Sequence, residues 1–146
     1  EQWYVYNDNY GAGEEKAFVK YFKGIVKDLR SKYEEIYLVR NERIPALAIY
    51  EFDTGERFEP DFLLFLQKIG TDGYLQEQIY IEPKGSHLLE KDKWKEDFLL
   101  KIEEQGIPTK TYVDDNKYRI IGLPFFNREF RLEEFSRFLD EKLIRR

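Results

Sequence analysis

The chain contains no cysteine and no methionine, and its single histidine is His87. Without cysteine there is no disulfide scaffold, no zinc ribbon and no thiol nucleophile. One histidine excludes multi-histidine zinc sites and leaves a Ser-His-Asp triad only one candidate base. Long apolar runs are missing too. Nothing approaches the roughly 18 uninterrupted apolar residues of a spanning helix, and the opening Glu1-Gln2-Trp3 lacks the basic and apolar regions of a signal peptide. The expected setting is therefore the cytoplasm, with no membrane partner. A chain without methionine cannot begin at a start codon as written, so residues 1–146 read as one domain excised from a longer polypeptide.

What is present is aromatic and charged: 12 Phe, 11 Tyr and 2 Trp make 17% of the chain, and Asp, Glu, Lys and Arg make 36%. That much aromatic surface cannot stay in water, so the chain is expected to fold rather than remain disordered. The net charge of -5 argues against indiscriminate coating of nucleic acid, which needs clustered Lys and Arg. No repeat, low-complexity tract or linker interrupts the ordered elements.

Hydrophobic periodicity predicts a first helix from about Glu14 to Ser31, with Phe18, Phe22, Ile25, Val26 and Leu29 on one face. Strands are expected at Glu35–Arg40, Ala46–Phe52 and Phe58–Leu66. The last ends in FLLFL, a run suited to a strand covered on both faces. A turn over Ile69–Gly73 would lead into a strand at Tyr74–Lys84, the two strands forming a hairpin. A helix at Lys91–Glu104, with Trp94, Phe98, Leu99 and Ile102 on its core face, a strand at Tyr118–Leu123 and a helix at Leu132–Leu143 complete the order. Helices alternating with groups of strands imply an α/β fold, a mixed central sheet flanked by helices.

Two acids stand out because they border strongly apolar strands, where charge is costly: Asp61 before FLLFL and Glu82 after QIYI. Positions i and i+2 of a strand share a face, so Glu82 and Lys84 project together with Pro83 turned away. The hairpin would bring Asp61 beside them. Two carboxylates, an ammonium and the Pro83 carbonyl suit a hard divalent cation, Mg2+ with Mn2+ as substitute. Such a site polarises a phosphoryl oxygen and activates a water, Lys84 positioning that water or stabilising phosphorane charge. The competing reading is a structural ion pair of the acids with Lys84 or an arginine.

Pro60-Asp61 and Glu82-Pro83-Lys84 resemble the signature of the PD-(D/E)xK nuclease superfamily. The wider segments YLVRNERIPALAIYEF, RFEPDFLLFLQK, QIYIEPKGSHLL and WKEDFL are similar to the C-terminal endonuclease domain of type III restriction enzyme Res subunits, over about Gly13 to Gln105. The resemblance implies a restriction-endonuclease-like core and metal-dependent cleavage of double-stranded DNA. It also implies as partners an ATP-driven helicase or translocase domain in the parent chain and a methyltransferase specificity subunit. GxxxxGK[ST] is absent from this piece. The family's Asp, Glu and Lys fall on Asp61, Glu82 and Lys84, and Pro83 is a departure that should end or bulge the strand.

The resemblance also implies an acid from the first helix, for which Glu14 and Glu15 compete. At 100° per residue Glu15 lies about 36° from the centre of the apolar face and Glu14 about 64°, which favours Glu15. The alternative is that both acids serve the helix dipole. Lys16, Lys20 and Lys23, continued by Lys27 and Arg30, form one helical stripe that could track a phosphate backbone or simply face solvent. His87 and Lys95 are further candidates for DNA contact, His87 equally an incidental loop residue. Trp94 is expected in the core. The alternative to an endonuclease is a non-catalytic nuclease-fold module that binds DNA or docks a helicase.

Overall fold

Phe18, Phe22 and Leu29 repeat at helical spacing, and Glu14 and Glu15 favour the positive end of the helix dipole, so the chain from Gly13 to Arg30 is helical (α1) with these apolar side chains buried. The computed structural model describes residues 4–5, 13–41, 49–50, 55, 57–70, 73–102, 110–111 and 117–144. Around α1 the β-rich segments assemble a six-stranded mixed sheet in the order β1-β2-β5-β6-β8-β7. Its strands are β1 (Tyr4–Val5), β2 (Glu35–Arg40), β5 (Phe62–Gly70), β6 (Gly73–Ile81), β7 (Lys110–Thr111) and β8 (Lys117–Gly122). A separate antiparallel ribbon joins β3 (Ile49–Tyr50) to β4 (Arg57–Phe58).

The sheet centre is antiparallel, β2 on β5 and β5 on β6, whereas β8 lies parallel to β6. A parallel neighbour requires a crossover, and helix α2 (Lys93–Lys101) supplies it. Alternation divides the sheet's side chains between two cores. Phe62, Leu64, Leu66, Ile79, Ile81 and Ile121 face α1 and the last helix, α3 (Leu132–Leu139). Leu63 and Tyr80 face α2 and Phe58 of the ribbon. β5 is thus apolar on both sides because both sides are covered.

Several expectations are corrected. The strand expected over Phe58–Leu66 breaks at Glu59-Pro60-Asp61. Its first residues pair with β3, and the remainder runs on to Gly70. Pro60 has no N–H for a ladder, so the break falls where the backbone cannot pair. The turn is narrower than Ile69–Gly73, since Gly70 already pairs with Gly73, and Thr71 and Asp72 lie outside the described residues. The strand expected to reach Lys84 ends at Ile81, one residue before Glu82-Pro83. Helix α2 is shorter than Lys91–Glu104, with residues 103–109 outside the described part, and a 3-10 turn at Ser86–Leu88 precedes it. Trp94 is half-buried rather than core, and the buried residues of α2 are Phe98, Leu99 and, unforeseen, Glu96. The last helix widens into a π turn at Asp140–Ile144. Of the strand expected at Ala46–Phe52, only Ile49–Tyr50 is described.

Buried charge secures the sheet to the helices. Glu77 of β6 receives Arg119 of β8 and the Tyr33 hydroxyl, and Arg119 continues to the carbonyl of Lys142, 2.9 Å away. Glu96 of α2 accepts from the backbone N–H of Phe125 at 2.9 Å and pairs with Arg131. Each carboxylate is buried with its partners in place, the condition under which interior charge is tolerated.

Helix α2 lies tight against β8 at Gly122, where an added Cβ would stand 2.4 Å from the carbonyl oxygen of Leu99. Backbone cannot yield as a side chain tip does. Gly122→Ala should cost about 2–4 kcal/mol of stability, as overpacking of a rigid contact does. Urea denaturation with an unchanged slope checks it, and a wild-type midpoint would contradict it.

Candidate functional site

Register brings the two acids together. Phe62 pairs with Ile81, so the next positions outward are Asp61 and Glu82, followed by Pro60 opposite Pro83. Neither proline has an N–H, and the ladder cannot continue between them. Instead the Asp61 N–H donates to the Glu82 side chain, Oε1 at 2.8 Å, so a carboxylate takes the place of a strand carbonyl. Asn41 fixes the opposing loop, its N–H donating to the Asp61 carbonyl at 2.7 Å and its side chain to the Pro60 carbonyl at 3.1 Å.

On the other edge of β6, Pro83 bridges Phe126 in parallel fashion. Phe126 N–H donates to the Glu82 carbonyl at 3.0 Å and its carbonyl accepts from Lys84 N–H at 2.9 Å. A parallel bridge of this kind uses both backbone groups of Phe126 and turns the Pro83 carbonyl to the opposite edge, the side of Asp61. Proline's missing donor costs nothing there. Asn127, fully buried, ties down the next turn by donating to the carbonyl of Lys84 at 2.9 Å.

Lys84 is 7% exposed, and its ammonium lies 3.2 Å from Glu82 Oε2, 2.9 Å from Asp92 Oδ2 and 5.3 Å from the Phe125 ring. Burial alone would lower its pKa, but Glu82 and Asp92 outweigh burial and raise it, so the side chain is a cation. Glu82 is pushed up by burial against the opposing pull of Lys84. Asp61 is pushed up to about 8, first by burial, then by the charges of Glu82 and Glu15, against weaker relief from Lys84 and Arg40. Burial and the two acidic neighbours thus outweigh the nearby cations, and the Asp61 carboxyl holds its proton up to near neutral pH.

Of the two acids at the start of α1, Glu15 is the one whose charge acts on Asp61. It lies one turn before Phe18, whose ring stands 5.0 Å from that of Phe62, and its carboxylate is held at 2.9 Å by Arg40 Nε. Glu14 turns instead to Arg128, accepting from its N–H at 2.9 Å. Among the described residues no group of three acidic or imidazole side chains is gathered as a ready metal cage. The tight pair is Asp61 with Glu82. All-oxygen donors, two carboxylates and a carbonyl, fit a hard divalent cation, and such an ion would offset the burial and the acidic neighbours that raise Asp61.

The remaining candidates spread outward. Lys16, Lys20 and Lys23 are exposed on α1. His87 is exposed, its ring folded against Gly85, where an added Cβ would meet it at 3.0 Å. Lys95 lies over Trp94 and Phe58, 5.7 and 5.6 Å from the ring centres, and its charge reaches Glu82. A cleft of about 510 Å³ bordered by Glu14, Gly85, Ser86, Arg128 and Glu129 adjoins the turn after Lys84. Asp92, Asn41, Arg40 and Asn127 escaped the sequence reading. Asn127, next to the apolar Leu123-Pro124-Phe125-Phe126, carried the only local hint, a polar residue ending a buried run.

The raised Asp61 has a measurable consequence. Its ordinary value is 3.8, so between about pH 4 and pH 8 the folded chain holds a proton that the unfolded chain has lost. Stability of the metal-free protein should then fall as pH rises through that window, with the penalty absent below it. Asp61→Asn should flatten the slope and raise Tm at pH 8 by about 5 °C, measured with chelator present. An unchanged slope would refute the raised value.

The HI_1054_C family, described as a C-terminal domain, matches residues 1–142. An uncharacterized protein of Haemophilus influenzae (strain ATCC 51907 / DSM 11121 / KW20 / Rd) is 40% identical over 144 residues, covering 93% of this chain and 31% of the relative. The chain thus spans under a third of that relative's length. No solved structure matches at a significant level. With nearly its whole length matched, the chain belongs to the HI_1054_C C-terminal domain family.

Proposed function

We propose that the chain is a divalent-metal-dependent endodeoxyribonuclease domain of PD-(D/E)xK type with a restriction-endonuclease-like core. The observation that carries the reading is the open end of the β5–β6 hairpin, where Asp61, Glu82 and Lys84 meet at a ladder two prolines have stopped. A mixed sheet covered by α1 and α3 on one face and α2 on the other supports the fold assignment.

In this reading Asp61, Glu82 and the Pro83 carbonyl hold Mg2+ or Mn2+, with Glu15 nearby. The bound cation supplies Lewis acidity to a phosphoryl oxygen and to the attacking water. Lys84 orients that water and offers positive charge to the phosphorane oxygens. Arg40 restrains Glu15, and Asn41 and Asn127 hold the two loops that carry the acids and the lysine. Lys16, Lys20, Lys23, His87 and Lys95 are the basic groups this reading assigns to the phosphates of double-stranded DNA.

The parent polypeptide would add a helicase or translocase, and a methyltransferase subunit would select the target, as in type III restriction systems. The much greater length of the Haemophilus influenzae relative leaves room for such modules. Among the described residues no helix is long and apolar enough to cross a membrane. A second reading, a nuclease fold kept for binding alone, draws support from the ion pairs that already engage Glu15 with Arg40 and Lys84 with Asp92.

Plasmid nicking in Mn2+ and Mg2+ separates the two. The nuclease reading expects cleavage by the wild type and a loss of about 100-fold or more in Asp61→Asn and in Lys84→Ala, each folded by circular dichroism. DNA binding with no cleavage in either metal favours the binding module.

A further inference from the structure

Lys84 is a buried cation paired with two anions, and one of them, Glu82, is also the residue that would carry the metal in the proposed nuclease. When a divalent cation takes Glu82, an ammonium that is 7% exposed cannot be left without a counter-ion. Asp92 answers that requirement. Its Oδ2 stands 2.9 Å from Lys84 Nζ, closer than Glu82 Oε2 at 3.2 Å.

Asp92 gives up an ordinary role to be there. It occupies the N-cap position of α2, where an aspartate normally accepts a helix N–H, yet its side chain makes no capping bond. Lys95, one turn along the helix, is 3.9 Å away, leaving Lys84 as the close partner. The Lys84 hydrogen bond also holds the Asp92 carboxyl below the usual carboxylate range, so it remains an anion.

The geometry points to Asp92 as the residue that positions Lys84, sharing the ammonium with Glu82 so that Glu82 can turn to a cation while Lys84 keeps a counter-ion and faces the attacking water. This rests on the nuclease reading. Asp92 lies outside the Asp61 and Glu82-Pro83-Lys84 signature, and it does not touch the reacting atoms. Without it, Glu82 is the remaining ion-pair partner of Lys84 among the described residues, and the ammonium competes with the metal for that carboxylate.

Asp92→Ser is the informative variant, because serine can cap α2 and preserve its stability while releasing Lys84. Two measurements on the intact chain test the assignment. The first is Mn2+ affinity by electron paramagnetic resonance, in a cycle of wild type, Asp92→Ser, Lys84→Ala and the double variant. Asp92→Ser should weaken Mn2+ binding about 10-fold in the wild-type background and leave it unchanged when Lys84 is already alanine. The second is DNA cleavage, where Asp92→Ser should lower kcat about 10-fold or more with little change in KM, and Asp92→Glu should recover part of the loss.

If Asp92→Ser weakens Mn2+ equally in both backgrounds, its effect is general field and the positioning role is overturned. If it binds Mn2+ and cleaves like the wild type, the role is likewise overturned while the nuclease stands. If the wild type neither binds Mn2+ nor cleaves, the nuclease reading fails and takes this assignment with it.

Discussion

The β5–β6 ladder has to stop where Pro60 and Pro83 face each other, and much of what surrounds Asp61 follows from that stop. Paired strands satisfy their backbone groups mutually, and an interrupted pair must find substitutes. Here the substitutes are side chains. Glu82 accepts the Asp61 N–H, and Asn41 donates to the Pro60 carbonyl. Strand termination and the gathering of carboxylates are thus one event, and a buried Glu82 is tolerated because it replaces a backbone acceptor as well as carrying charge.

Charge at the site is balanced by neighbours drawn from different layers of the fold. Arg40 comes from β2, Lys84 from the end of β6, and Asp92 from the approach to α2. The compensation is uneven. Lys84 has two anions, whereas Asp61 gains only weak relief from cations against burial and two acidic neighbours. Ionising Asp61 therefore costs stability in the absence of a further cation.

The four longer sheet strands and the approach of Asp61 to Glu82 were legible in the sequence because they depend on local pattern, whereas the short edge strands β1 and β7 were not. FLLFL and QIYI declare a two-sided and a half-buried strand, and period-two alternation places Lys84 with Glu82. α1 followed from its apolar repeat almost to the residue. The break at Pro60, the widened last turn and the half-exposed Trp94 were not legible, since each is decided by what packs against it. Asp92, Asn41 and Asn127 were invisible for a related reason. Their roles are contacts 8, 19 and 43 residues along the chain, outside helix and strand spacing, and an isolated Asp or Asn in a turn has many ordinary explanations. The buried trio of Glu77, Arg119 and Tyr33 joins segments 42 and 44 residues apart, beyond the reach of periodicity.

The bridge between Pro83 and Phe126 sets a timetable for the chain. β5 and β6 are neighbours in sequence and can close early, as local hairpins do. Lys84, by contrast, is anchored through its N–H to Phe126 and through its carbonyl to Asn127, 43 residues later. During synthesis the acidic half of the constellation can assemble before its basic half has a platform. The full arrangement of charges needs the segment after β8 in place, since Phe126 holds both the Glu82 carbonyl and the Lys84 N–H.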